Sequence, residues 1–277
     1  MSIDCTSRTV LLVDDNRVSR EIATIVLKSC RRRVIQAVNG LEALEILLES
    51  GDINLIFMDV QMPVMDGLVT SSVIRACENG RDLSGFNLSP ALMANLSYQR
   101  WKEDVTIVGL SANDQTVERQ QGLDAGMNYF LNKPLQKDGV LFVLSRLADI
   151  KNVTPRDNAV PRLSATGSNG GVGAVFSHLQ KTYGLGEKET AKLLMVSSAT
   201  VLENIDLLMV LDRASDWHGL GPVAHGLKGS LLNLGLADLA AVVREIELKC
   251  REGGQASFRK ELLVLRESFK ELVKHKG

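Results

Sequence analysis

Five short apolar runs, separated by stretches of helical periodicity, constrain the first half of this chain most. Val10-Leu11-Leu12-Val13 runs into Asp14-Asp15, and Val34-Ile35-Gln36-Ala37 follows. Leu55-Ile56-Phe57-Met58 ends at Asp59, Thr106 to Leu110 ends at Ser111, and Asn128 to Leu131 stops just before Lys133. Between them Ser19 to Cys30 reads as a helix. So does Leu41 to Ser50, with Leu41, Leu44, Leu47 and Leu48 at helical spacing. Strands alternating with helices predict a parallel sheet covered on both faces, a doubly wound α/β domain. Sites in such sheets form beyond the carboxyl ends of the strands. Asp14, Asp15, Asp59, Ser111 and Lys133 all fall at such ends.

The second half is different. It shows no convincing strand and reads as helices near Val172–Tyr183, Glu187–Leu211, Leu220–Leu234, Ala237–Glu252 and Ala256–His275. Gly235 and Gly253-Gly254 act as stop signals. Amphipathic helices with short connections predict an antiparallel bundle. The stretch Asn152 to Gly173, with two Pro and four Gly among Ser, Thr and Asn, has no apolar periodicity and reads as a flexible linker. A length of 277 residues fits two domains. Residues 1–150 carry a net charge of −4 and residues 151–277 a net charge of +3, a small imbalance that salt screens.

Composition closes off other classes. No apolar run reaches the ~18 residues of a membrane span. Met1-Ser2-Ile3-Asp4-Cys5 lacks the start of a secretory signal. The formal net charge of −1 disfavours a broadly basic nucleic-acid binder. The four cysteines, at 5, 30, 77 and 250, show no metal-ligand spacing and read as reduced thiols, with the cytoplasm as the expected compartment.

Three carboxylates converging at strand ends repel one another and call for a cation, and all-oxygen ligation suits Mg²⁺. A carboxylate, a divalent ion, the Lys133 ammonium and the Ser111 hydroxyl together make a phosphoryl-transfer site. Taken singly, an Asp-Asp pair is more often a turn or a helix cap than a site. The order is what makes the set specific. Val13-Asp14-Asp15-Asn16, then Met58-Asp59-Val60-Gln61-Met62-Pro63-Val64-Met65-Asp66-Gly67, then Leu110-Ser111-Ala112, then Lys133-Pro134 resemble the receiver domain of bacterial response regulators, over about residues 8–149.

The resemblance implies a flavodoxin-like, CheY-like fold of five parallel strands. It implies Asp59 as phospho-acceptor, and Asp14, Asp15, Asp59 and the backbone carbonyl of Gln61 as the Mg²⁺ site. Ser111 and Lys133 match the groups that contact the phosphoryl oxygens. Phe130 matches an aromatic switch position and equally suits plain core. Asp66 and Gly67 shape the loop. Glu78 to Asp104 is long for its connection. It reads as a packed insertion, with partner docking as the alternative.

Of the histidines at 178, 218, 225 and 275, only His225 stands in a telling context. His178 and His218 have no recognisable partners in the sequence, and His275 sits in a charged tail. On a helix, Val223, Leu227, Leu231 and Leu234 form an inward stripe, while His225, Lys228, Gly229 and Leu232 share a neighbouring face. Lys228 lies beside the imidazole and could stabilise a phosphoryl group on it. Ala224-His225-Gly226-Leu227-Lys228-Gly229-Ser230, followed by Asn233-Leu234-Gly235, resembles histidine-containing phosphotransfer (HPt) domains, an all-α four-helix bundle, over about residues 172–274. His225 then matches the phospho-accepting histidine.

The two resemblances imply a receiver at 1–150, a linker at 151–171 and an HPt bundle at 172–277. They imply a two-component phosphorelay protein that carries phosphoryl groups on Asp59 and His225, exchanged between the two sites or with external partners. Such a protein is a carrier rather than a kinase, with no ATP site and at most slow receiver self-dephosphorylation. The expected partners are a sensor or hybrid histidine kinase and another response regulator receiver, with no nucleic acid and no membrane insertion. A phosphorylation-controlled partner-binding switch, with the bundle only docking, is the alternative. A haloacid-dehalogenase-like phosphatase would want a second Asp where Gln61 stands.

Overall fold

The structure is a computed structural model that describes residues 9–50, 52–98, 105–111, 116–149, 171–252 and 257–274. The linker reading at 151–170, His275, Ala112, Gly253-Gly254 and the last part of the 78–104 connection lie outside the described residues. The chain divides into a sheet-bearing unit and a helical unit.

The sheet-bearing unit runs β1 (Thr9–Val13), α1 (Arg17–Ser29), β2 (Arg33–Ala37), α2 (Gly40–Glu49), β3 (Leu55–Asp59), α3 (Gly67–Glu78), α4 (Pro90–Tyr98), β4 (Thr106–Ser111), α5 (Thr116–Asp124), β5 (Tyr129–Asn132) and α6 (Lys137–Asp149). All five strands pair in parallel in the order β2-β1-β3-β4-β5. β1 and β3 are buried along their whole length, which is why they read as unbroken apolar runs, whereas β2, at the edge, is only partly covered. The order reverses between β1 and β3. That makes the switch point at which such sheets open a crevice, with Asp14 and Asp15 on one side and Asp59 on the other.

Caps set the helix starts. Asn39 accepts from the Glu42 amide at 2.9 Å while Glu42 accepts from the Val38 amide at 2.7 Å, so α2 starts at Gly40. Asp66 accepts from the Val69 amide at 2.8 Å and caps α3, giving this motif residue a loop-shaping role. The long connection after α3 is packed: Leu83, Leu92 and Leu96 are buried in the same core as Val73, Ile74 and Ile107.

The helical unit holds α7 (Val172–Tyr183), α8 (Glu187–Ala214), α9 (Trp217–Asn233), α10 (Ala237–Arg251) and α11 (Arg259–Lys274). α8 to α11 form the four-helix bundle, and α7 is an additional helix packed on α8 and α11. Ile205 and Leu208 of α8, Leu227 and Leu231 of α9, Val243 and Ile246 of α10, and Leu262 and Phe269 of α11 make the core. The Tyr183 hydroxyl donates to the Asn233 carbonyl at 3.1 Å, joining the end of α7 to the end of α9. Asp212 is buried because it accepts from the Phe258 amide at 2.7 Å and the Ser257 hydroxyl at 2.9 Å, holding the chain as it enters α11. Among the described residues, α8 alone is long and apolar enough to cross a membrane by length and composition.

Two expectations for α9 need correction. The helix begins at Trp217 rather than Leu220, because Asp216 accepts from the Gly219 amide at 2.9 Å and caps it. Pro222 therefore lies inside the helix. The inward stripe is Leu220, Ala224, Leu227 and Leu231, with Leu234 buried at the helix end as expected and, of the expected stripe, only Val223 half-buried. A start one turn earlier brings Leu220 into the stripe, and Ala224 rather than Val223 continues it.

Candidate functional site

The sheet edge brings most of the expected acceptor residues together. Asp14, Asp15 and Asp59 each offer a carboxylate oxygen, and these atoms lie within 4.8 Å of one another. Asp14 and Asp59 are buried, and Asp15 is exposed. Lys133 follows β5, and its amide donates to the Ser111 carbonyl at 2.7 Å. Its ammonium stands 2.6 Å from Asp14 Oδ2 and 2.6 Å from Asp59 Oδ2. Three carboxylate oxygens this close together make a set of hard oxygen donors, which fits a small hard divalent cation.

The electrostatics follow from burial. Removal from water pushes the Asp59 carboxyl up to about 7; Asp14 and Asp15 push the same way, and Lys133 opposes them. Burial alone would lower the Lys133 ammonium, but Asp14 and Asp59 outweigh it, so it is raised and stays charged.

Gln61 places its backbone amide 3.4 Å from Asp59 Oδ1, and its side-chain amide donates to Glu118 Oε1 at 3.0 Å. The Ser111 hydroxyl, buried at the end of β4, donates to the other carboxylate oxygen of Glu118. Glu118 was not singled out in the sequence. An acidic residue in the first turn of a helix is ordinary there, and only the fold shows what it bridges. Phe130 is 7% exposed. Its ring lies where a side-chain carbon on Gly109 or Gly122 would stand, and the Arg119 guanidinium sits 5.7 Å from its centroid.

The helical unit carries a second candidate site. His225 on α9 is 30% exposed at its side chain, and its Nδ1 lies 2.7 Å from Glu247 Oε1 on α10. Lys228 Nζ lies 2.6 Å from Glu247 Oε2 and 3.5 Å from His225 Nδ1, and Arg251 donates to Glu247 Oε1 at 2.8 Å. An ionised carboxylate only accepts, so Nδ1 carries the proton and the lone pair of the neutral ring sits on Nε2. Burial would raise the Glu247 carboxyl, but hydrogen bonds from His225 and Lys228 outweigh that and hold it at about 2. Lys228 thus meets the imidazole on its Nδ1 side, together with Glu247. Glu247 was missed in the sequence, although it left a signal: a carboxylate one residue after Ile246, on a helix whose buried positions include Ala240, Val243 and Ile246. His178, which has no partner legible in the sequence, lies edge-on to Tyr183 with its Nδ1 3.4 Å from the Thr182 hydroxyl.

A pH effect follows, and its sign is fixed. The folded-state pKa of Glu247 is below its unfolded value of 4.5, so its contribution to stability is present above about 4.5 and lost as pH falls toward about 2. Glu247→Gln is expected to flatten the acid limb of the helical unit's unfolding curve. Thermal melts between pH 2 and 6 check this, and an unchanged limb would count against Glu247 as the titrating anchor.

Residues 10–84 match the response regulator receiver domain family, and residues 189–275 match the Hpt domain family. The chain is 35% identical over 133 residues to hybrid signal transduction histidine kinase K of Dictyostelium discoideum, covering 48% of this chain and 10% of that protein. It is 31% identical over 137 residues to response regulator SSK1 of Arthrobotrys oligospora, covering 46% of this chain and 12% of that protein. The match thus spans about a tenth of the length of these curated relatives. Among solved structures, it overlaps a chain of the co-crystal of the Saccharomyces cerevisiae histidine phosphotransfer signaling protein Ypd1 with the Ssk1 receiver domain. That match has a TM-score of 0.43 and 26% identity, covering 53% of this chain and 93% of that one. It also overlaps the receiver domain of sensor histidine kinase PA1611 from Pseudomonas aeruginosa, solved with a magnesium ion in its cleft. Here the TM-score is 0.39 and the identity 30%, covering 51% of this chain and 97% of that one.

Proposed function

This chain joins a response regulator receiver domain to an Hpt domain, and from that premise we propose that it works as a phosphoryl carrier in a two-component phosphorelay, with Asp59 and His225 as its two acceptors. The receiver spans 1–150, the linker 151–171 and the bundle 172–277. The observation that carries the reading is the pinned imidazole: Nδ1 is held by Glu247, so the nucleophilic nitrogen of a partly exposed ring is Nε2.

In the forward step a carboxylate oxygen of Asp59 attacks the phosphorus of a phosphohistidine. The new O–P bond forms as the N–P bond breaks, and the departing imidazole nitrogen keeps the electron pair. Transfer to His225 is the same exchange with Nε2 as nucleophile and an aspartyl carboxylate as leaving group. Asp14, Asp15, Asp59 and the Gln61 carbonyl would hold Mg²⁺, which supplies charge neutralisation at the phosphoryl oxygens. Lys133 keeps Asp14 and Asp59 in place and offers a fixed positive charge to the same oxygens. The partners are a sensor or hybrid kinase upstream and another receiver downstream, and the compartment is the cytoplasm. No turnover of a free substrate is required of the chain.

The test loads the full chain from acetyl phosphate with Mg²⁺, or from a histidine kinase, and follows base-stable and acid-stable phosphate in wild type, Asp59→Asn and His225→Gln. Base-labile acyl phosphate lost only in Asp59→Asn, and base-stable phosphohistidine lost in His225→Gln, are expected. Loss of the base-stable form in Asp59→Asn as well would route the group from Asp59 to His225. Labelling unaffected by either substitution would sink the reading.

A further inference from the structure

We propose that Glu118 is a positioning residue of the acceptor site: it engages the Ser111 hydroxyl while Asp59 is unmodified and surrenders it when a phosphoryl group is present. The inference rests on the acceptor reading of Asp59 given above.

A serine hydroxyl has one proton to donate. Here that proton goes to Glu118. β3 and β4 are adjacent, with Asp59 opposite Leu110, so Ser111 stands one residue further along the same edge. Ser111 is 2% exposed, so its hydroxyl chooses between neighbouring protein groups and whatever enters the site, not bulk water. The other oxygen of Glu118 holds the Gln61 side chain, two residues beyond Asp59. One carboxylate therefore ties the end of β4 to the loop after β3, and both ends of the tie lie beside the acceptor.

A phosphoryl group on Asp59 changes the competition. It brings anionic oxygens that accept from Ser111 at least as well as Glu118 does, so they compete with Glu118 for the one hydroxyl proton. An open pocket of about 270 Å³, bounded by Gln61, Asp66, Leu68 and Gln121, adjoins Glu118 and leaves room for the displaced side chain. The neighbouring Arg119 lies over the Phe130 ring, so a shift in the first turn of α5 reaches that aromatic as well. The contact exists in one state only, so its strength subtracts directly from the affinity of the other state.

The experiment measures the affinity of the full chain for beryllium trifluoride, a phosphoryl mimic, at saturating Mg²⁺. It compares wild type, Glu118→Ala, Glu118→Gln, Ser111→Ala and the Glu118→Ala/Ser111→Ala double variant. Glu118→Ala is expected to bind about tenfold tighter, the scale of one charge-assisted hydrogen bond. Glu118→Gln, which keeps an acceptor oxygen, should gain less. With Ser111→Ala already present, removing Glu118 should change the affinity less than about twofold, the signature of two residues acting through one contact. Equal gains in both backgrounds, or equal gains for Gln and Ala, would reduce Glu118 to bulk charge and overturn the proposal. No gain in Glu118→Ala would overturn it too. If wild type and every variant fail to bind the mimic, the acceptor reading of Asp59 falls, and the proposal falls with it.

Discussion

Lys133→Ala is expected to slow phosphoryl uptake by Asp59 by about 10²–10³-fold, the cost of removing one fixed charge aimed at developing negative charge. The geometry explains the size. The ammonium sits 2.6 Å from both Asp14 and Asp59, two carboxylates that are otherwise surrounded by buried chain. Removing it takes away the ammonium that Asp14 and Asp59 share beside Asp15. Asp59 loses the ammonium whose charge and hydrogen bond hold its carboxyl down against burial and its acidic neighbours.

A second consequence has the opposite sign and separates chemistry from misfolding. With Lys133 gone, the cluster is more negative, so its affinity for Mg²⁺ should rise while the transfer rate falls. Initial rates of labelling from acetyl phosphate at saturating Mg²⁺, beside a Mg²⁺ titration of the same variant, read both. Lys133→Arg should recover only part of the rate, since a planar guanidinium does not place one nitrogen between two carboxylates as an ammonium does. Rates within twofold of wild type in Lys133→Ala would remove Lys133 from the site.

The contrast between what the sequence disclosed and what it withheld has a physical basis. Asp14, Asp15, Asp59 and Lys133 were legible because each closes or follows an apolar run, and a parallel sheet collects the ends of its strands at one edge. β3 was legible for the same reason: Leu55 to Met58 is buried on both faces, so the run needs no alternation. Helix ends were less legible. Gly219, Gly221 and Pro222 argue locally against a helix start at Trp217, but the Asp216 cap and the burial of Leu220 override them. Glu118 and Glu247 were illegible as partners because hydrogen-bond pairing across elements leaves no periodic trace. Glu118 meets Gln61 from 57 residues away, and Glu247 meets His225 from 22. The 78–104 connection read as a packed insertion, and the burial of Leu83, Leu92 and Leu96 agrees over its described part.

Arg75 is the extreme case of a residue whose importance only the fold reveals, and Arg75→Ala is expected to destabilise the sheet-bearing unit by about 3–5 kcal/mol, the range for stripping one partner from a buried charge. On α3 it looks like an ordinary polar residue of an amphipathic helix. In the structure its guanidinium donates to the Gly126 carbonyl at 2.8 Å, the Val105 carbonyl at 2.8 Å, Asn128 Oδ1 at 2.7 Å and Glu78 Oε2 at 2.6 Å. Its partners are themselves committed: Glu78 accepts from the Val105 amide at 2.7 Å, and Asn128 accepts from the Ile107 amide at 2.8 Å. One side chain thus fastens the end of α3 to the entry of β4 and to the turn between α5 and β5.

Alanine takes the guanidinium from two carbonyls and from Oε2 of the 8%-exposed Glu78 side chain. Lysine restores a charge but not the planar fork that reaches four acceptors, so Arg75→Lys should recover only a minor part. Urea unfolding of the full chain, followed by hydrogen exchange at β4 and β5 amides, should show the midpoint of the sheet-bearing unit falling by at least ~1 M at m-values of ~1–3 kcal/mol/M. The helical unit should hold its midpoint. Arg266→Ala, which breaks the surface pair with Asp206, is the matched control and should leave both transitions in place. An Arg75→Ala midpoint no lower than that control would mean that water replaces the guanidinium at every acceptor, and that the four hydrogen bonds position the loops without stabilising them.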